Sequence, residues 1–162
     1  MDSPQDYKLI WKRLESPFIG AEVRDAMFLL IHDKLPVPER LFRIGVRLDP
    51  YCLHCPGAEV ADVEHFFCSC VRTRQCWSWT RLKILGLCEQ RLGCSNWELL
   101  NFVLPKTKYE PGIVWLISSY VGYVWEQCYV RESGVVLEKF FGFLTFKYEN
   151  SDVSLGQHTG LI

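Results

Sequence analysis

An excess of charge of either sign is missing from this chain: 18 Lys and Arg stand against 19 Asp and Glu, a formal net charge of -1. No global field draws such a chain to nucleic acid or to an anionic membrane, so any polyanion site has to be a local patch. Long apolar runs are missing too. The longest, Gly112 to Trp125, holds Ser118 and Ser119 and is followed by Glu126. Crossing a bilayer takes roughly 20 predominantly apolar residues, so a buried helix is expected there and no transmembrane segment. The opening Met1-Asp2-Ser3-Pro4-Gln5-Asp6 lacks the basic and then apolar pattern of a secretory signal. Without an oxidising compartment the eight cysteines are not expected to form a disulfide framework, and a reducing location, nucleus or cytoplasm, is expected.

Motifs that carry chemistry are equally scarce. There is no glycine-rich phosphate loop, and no Cys or Ser lies in a nucleophile-elbow sequence with an assignable base. Zinc deaminases combine His-x-Glu with a later Pro-Cys-x-x-Cys. Here Tyr51 separates Pro50 from Cys52, and no His-x-Glu lies upstream. The chain is expected to bind rather than to catalyse, with no small-molecule substrate.

What is present begins with helices, and a 49% apolar content is enough to close a core at this length. Tyr7, Ile10, Trp11 and Leu14 fall on one helical face, as do Val23, Met27, Leu30 and Ile31, with Pro36 and Pro38 stopping the second helix near Leu35. Pro38 to Val46 reads as a third helix, with Pro in the first turn where its missing N–H costs nothing. A helix is expected over 72–87 along Trp77, Ile84 and Leu87, a short element over 97–103, and an apolar helix over 111–131 in the register Ile113, Ile117, Tyr120, Val124 and Cys128. Residues 135–148 fit either period, and helix is chosen. The expected fold is mostly α, a small helical domain around one zinc knuckle with a hydrophobic helical segment after it. The expected divisions are a helical lead-in over 1–50, the knuckle and its following helix over 51–90, the hydrophobic segment over 91–148 and a flexible tail over 149–162.

At the centre Cys52, Cys55, His65 and Cys70 are spaced Cys-x2-Cys-x9-His-x4-Cys. Three thiolates and an imidazole are the donors of a closed tetrahedral zinc site, which leaves no position for a substrate water and is structural in type. The fourth ligand is open on geometry: Cys68, three residues after His65, shares its helical face, whereas Cys70 serves only if the helix ends or unwinds between Phe66 and Ser69. His54 sits between two ligands and is expected to point outward. Cys76, Cys88, Cys94 and Cys128 have no partner at ligand spacing and are read as buried thiols.

The words His32-Asp33-Lys34-Leu35-Pro36, Arg40-Leu41, Gly45, Pro50-Tyr51-Cys52-Leu53-His54-Cys55, Glu64-His65-Phe66-Phe67, Cys70 and Trp77 occur in order. With them the segment Trp11 to Trp77 resembles the zinc-binding domain C-terminal to the reverse transcriptase of LINE-type, non-LTR retrotransposons. The resemblance implies Cys70 rather than Cys68 as the fourth ligand, one structural zinc, and association with template RNA or target DNA beside a polymerase. No polymerase aspartate motif or endonuclease accompanies it, so the chain looks like a detached C-terminal piece of such an element.

Two basic stretches are candidates for phosphate contacts. Arg40, Arg43 and Arg47 form a stripe on the third helix, and Arg72, Arg74, Arg81 and Lys83 flank Trp77 and Trp79 with no acidic residue before Glu89. The first stretch reads equally as a solvated helix face, and the second also as long stems covering a core with their heads in water. Trp77 is assigned to the core, and Trp79, off the apolar line, to a base or a partner. Two rival roles stand beside nucleic-acid binding. One is a zinc-scaffolded module docking a protein through its aromatic second half, and the other is a decayed element copy without activity.

Overall fold

The computed structural model describes residues 4–88, 93–104 and 107–150, and within them the chain is mostly helical. Seven α-helices follow in order: α1 Pro4–Leu14, α2 Ala21–Ile31, α3 Pro38–Arg43, α4 Arg74–Leu87, α5 Asn96–Leu100, α6 Glu110–Val124 and α7 Leu137–Glu149. Two π-helical turns, His65–Ser69 and Trp125–Val130, interrupt them. Among the described residues the only β-pairing is an isolated antiparallel bridge between Tyr51 and Val60.

Helix α6 is the axis. Apolar on nearly every side, it buries Ile113, Leu116, Ile117, Tyr120, Val121 and Val124, as a helix surrounded by others must. Against it lie α2 through Met27 and Leu30, α4 through Trp77 and Ile84, α5 through Leu99 and Leu100, and α7 through Phe140 and Leu144. The ambiguous 135–148 stretch holds a helix, because Leu137, Phe140, Phe141 and Leu144, at i, i+3, i+4 and i+7, all pack in or against the core, which a period of two cannot arrange. Lead-in, knuckle and hydrophobic segment share one core. The expected tail over 149–162 starts one residue too early, since Glu149 still belongs to α7, and from 151 onward it lies outside the described residues.

Two expected helix ends are corrected. Helix α2 stops at Ile31 rather than near Leu35, because Asp33 turns left-handed (φ 52°). Its N–H donates to Leu30 O at 3.0 Å and Lys34 N–H to Leu29 O at 2.7 Å, a Schellman closure made without glycine. Helix α3 stops at Arg43 rather than Val46, where Gly45 (φ 76°) closes the same motif through Val46 N–H to Leu41 O at 2.8 Å. Arg47 thus lies beyond the helix, and the expected stripe of three arginines does not form.

Where α2 crosses α6, Gly122 leaves no room. A Cβ there would stand 2.6 Å from Val23 Cγ2, and a β-branched side chain cannot swing clear. Gly122→Ala is expected to cost about 1–3 kcal/mol by overpacking. Thermal unfolding checks it, with Val23→Ala in the same chain recovering part of the loss; an unchanged melting temperature for the single variant would refute the close packing.

Candidate metal centre

The knuckle is built from two local structures. Residues 50–61 form a minimal hairpin in which Ala61 N–H donates to Pro50 O (2.9 Å) and Cys52 N–H to Glu59 O (2.8 Å), with the reversal eased by Gly57 at φ 90°. Opposite it a short helical segment starts where the Asp62 carboxylate accepts from His65 N–H at 2.7 Å. It then widens into the π turn, closed by Cys70 N–H to His65 O at 2.8 Å. Wider π spacing frees carbonyls from their helical partners. Phe66 O accepts from the Thr73 hydroxyl, and Phe67 O from the hydroxyl of Tyr120 on α6. The core helix thereby fixes the floor of the site.

This turn decides the fourth ligand. Cys70 leaves the helix in extended conformation (φ -58°, ψ 141°) and faces the hairpin, whereas Cys68 packs into the core. Burial pushes the Cys68 thiol far up, as expected of an inert core cysteine. Helix geometry alone favoured Cys68 because it assumed an uninterrupted α-helix.

The ligand atoms of Cys52, Cys55, His65 and Cys70 all lie within 4.8 Å of one another. Zn–S bonds of about 2.3 Å and Zn–N of about 2.0–2.1 Å give a tetrahedron with S···S edges of about 3.8 Å and S···N edges of about 3.5 Å. The Cys52–Cys70 and Cys55–Cys70 sulfur separations are 3.9 and 3.8 Å, and Cys55 Sγ to His65 Nε2 is 3.4 Å. Behind the ring, Glu59 Oε2 stands 3.3 Å from His65 Nδ1, which places the ring proton there and leaves Nε2 for the metal. Backbone N–H groups of His54 and Val71 donate to the Cys52 and Cys55 sulfurs, each at 3.4 Å.

Sulfurs this close cannot all ionise without a cation. Burial, and then the facing Cys52 and Cys55 sulfurs, push the Cys70 thiol up to about 12 against the help of Arg72 N–H. Burial also opposes ionisation of Cys52, but the N–H of His54, the His65 ring and the N–H of Cys55 outweigh it and lower that thiol to about 7. A divalent ion resolves the conflict, since a coordinating thiol is deprotonated outright. The donor set and its edges fit one zinc ion with a closed shell.

A mostly helical, zinc-binding domain is what fold and site define. Residues 2–77, from α1 through the knuckle into α4, match the family described as zinc-binding in reverse transcriptase. No curated protein and no solved structure matches the chain.

Several of the basic candidates are already engaged within the fold. Arg40 donates to Asp33 O at 3.0 Å, and Arg43 pairs with Asp33 and Glu39 at 3.1 and 2.6 Å. Arg81 ties α4 to α5 through Asn96 Oδ1 (3.0 Å) and Cys94 O (2.6 Å). Arg74 is exposed. Trp79 is half-buried against Phe140 and Phe141 of α7, with Lys83 Nζ 5.6 Å from its ring, so it joins two helices rather than offering a free platform. A helical wheel of α4 alone could not show that α7 covers this side.

Arg47 and Arg72 behave differently, since both line a groove of about 590 Å³ that runs beside the ligand cluster. Arg72 donates to His54 Nε2 at 2.8 Å and to Ser133 O, and Arg47 reaches Asp49 at 3.5 Å. His54 points outward from the cluster, as expected. Sequence reasoning missed Tyr129, which forms another wall of the groove. Its signal was the i, i+4 aromatic pair with Trp125.

Proposed function

We propose that the protein is a non-catalytic, zinc-organised nucleic-acid-binding domain of the kind found in LINE-type reverse transcriptases, contacting template RNA or target DNA. The observation that carries this reading is the groove beside the four ligands, which has Arg47 and Arg72 on its walls in a segment that matches a reverse-transcriptase zinc-binding family. Four protein ligands fill the zinc shell, which assigns the ion to structure. Zinc with three thiolates carries a nominal charge of -1, so attraction for phosphate has to come from the arginines. Zinc-binding thiolates need a reducing compartment, nucleus or cytoplasm, and no described helix is long and apolar enough to cross a membrane.

Fluorescence anisotropy with labelled RNA and DNA oligomers tests the reading. Affinity is expected to fall steeply between about 50 and about 200 mM salt as phosphate contacts release counterions. Absence of binding to either polymer at low salt would end it.

A second reading, a protein-docking module, is favoured by one observation. Phe42, Ile44, Val46, Leu48 and Leu53 are exposed, Leu48 almost completely, and α3 buries no residue. This segment offers apolar surface to a partner, whereas most of the aromatic second half is spent on the core. Failure of nucleic-acid binding at low salt would favour this module.

A further inference from the structure

Resting on the nucleic-acid reading, we propose that the groove beside the zinc cluster holds one unpaired nucleotide of a single strand. Its base would lie against Tyr129, and its flanking phosphates at Arg47 and Arg72. The groove, at about 590 Å³, is within the ~300–1,000 Å³ of sites that enclose a small organic ligand. A nucleotide of that size enters only if its base has left its stack, because a paired base has both faces covered by neighbours.

The wall that receives the base is prepared in advance. Tyr129 is 43% exposed although Trp125 lies on it in parallel, with centroids 4.1 Å apart and planes 11° from one another. Trp125 is braced in turn by Phe66 of the first π turn, at 6.2 Å. One tyrosine face is thus spent on fixing the ring, and Tyr129 lines the groove together with Leu53 and His54 of the knuckle. A stacking platform held in this way loses little freedom on binding, and a π-face takes any base.

Charge sets the strand's path. With zinc bound, three thiolates would give the centre a nominal charge of -1 and repel phosphate from that side of the groove, while Arg47 and Arg72 line its other walls. Arg72 is held by Ser133 O and His54 Nε2, which use two of the five N–H donors of a guanidinium. Arg47 has only the 3.5 Å contact with Asp49 to give up. Glu132 is the one acidic side chain among the lining residues. The site is composite, because Tyr129 lies outside the family-matched residues 2–77 whereas both arginines lie within them.

The test uses the full zinc-loaded chain and single strands of about eight nucleotides, inside the ~4–16 nucleotide range of single-strand sites. RNA and DNA versions of one sequence are compared with an abasic strand of equal length and with the duplex. The normal strand is expected to bind roughly tenfold to a hundredfold tighter than the abasic one, and tighter than the duplex. Tyr129→Ala should remove the preference over the abasic strand and Tyr129→Phe should retain it, both with zinc content and circular dichroism unchanged. Arg72→Gln combined with Arg47→Gln should weaken normal and abasic strands alike and reduce the salt dependence. The RNA and DNA arms identify which polymer supplies the nucleotide. If Tyr129→Ala binds the normal strand as tightly as the parent, or if duplex and abasic strands bind equally well, the groove assignment is overturned while the broader reading survives. If no strand binds at low salt, both fail.

Discussion

Replacing Cys55 with Ser, or stripping the metal with a chelator, is expected to unfold the hairpin over residues 50–61 and to loosen the π turn that faces it. Structural zinc contributes on the order of 10 kcal/mol to folding, comparable with the entire stability of a domain this size. Little else holds the hairpin side of the knuckle, whereas Phe67, Cys68 and Thr73 anchor the other side in the core. The hairpin has one β-bridge, and its buried apolar contribution is confined to Cys55 and Ala61, while Leu53 is 79% exposed. Hydrogen exchange should report the loss at the amides of Cys52, Ala61 and Cys70, whose acceptors Glu59 O, Pro50 O and His65 O stay in place only while the cluster is closed. The amides of α6 should lose less, because its burial rests on α2, α4 and α7. Cys68→Ser supplies the contrast: it should keep one zinc per chain and lose only the ~1–3 kcal/mol of a polar group misplaced in a core. Cobalt substitution should show three thiolates. Stoichiometric zinc retained by Cys55→Ser, or lost by Cys68→Ser, would reverse the ligand assignment.

The same contrast marks what could be read before the fold was known. Cys52, Cys55 and His65 were legible because donor chemistry restricts which residues serve and short turns restrict their spacing. Cys70 was not legible from helical periodicity, since one π turn inserts the extra residue that moves it onto the site, and that turn depends on Thr73 and Tyr120 accepting the role of donors from outside it. Helix types followed from apolar period except at 135–148, which fitted either period and is decided as a helix only by its packing on the core. Helix ends were less visible, because left-handed closure at Asp33 and at Phe102 (φ 59°) uses residues that carry no glycine signal. The basic stretches misled for a related reason: periodicity places Arg81 and Trp79 on a wheel, but only the later elements α5 and α7 reveal that both are already engaged.

Arg13→Ala is expected to cost about 3–5 kcal/mol, a large share of the stability of the whole chain, although nothing in the local sequence sets this arginine apart. It lies in the last turn of α1 at 6% exposure and donates four hydrogen bonds across the molecule. Two go to the Glu110 carboxylate, at 3.0 and 2.8 Å, and two to the carbonyls of Phe102 and Leu104, at 2.6 and 3.4 Å. Those carbonyls lie just past the end of α5, where no helical donor remains, and Glu110 opens α6, where the helix dipole favours its charge. Removing the guanidinium strands all three acceptors, whereas Glu110→Ala leaves Arg13 its two carbonyls, so the arginine variant should lose more. Arg13→Lys should rescue little, since an ammonium cannot match the planar fork that reaches both carboxylate oxygens. Urea unfolding of the two single variants and the double variant measures the coupling. Additive losses would mean that the pair does not act as a unit. Because Arg13 lies in the segment matched by the zinc-binding family and its acceptors lie outside it, a strong coupling would also mean that the second half is fastened to the first.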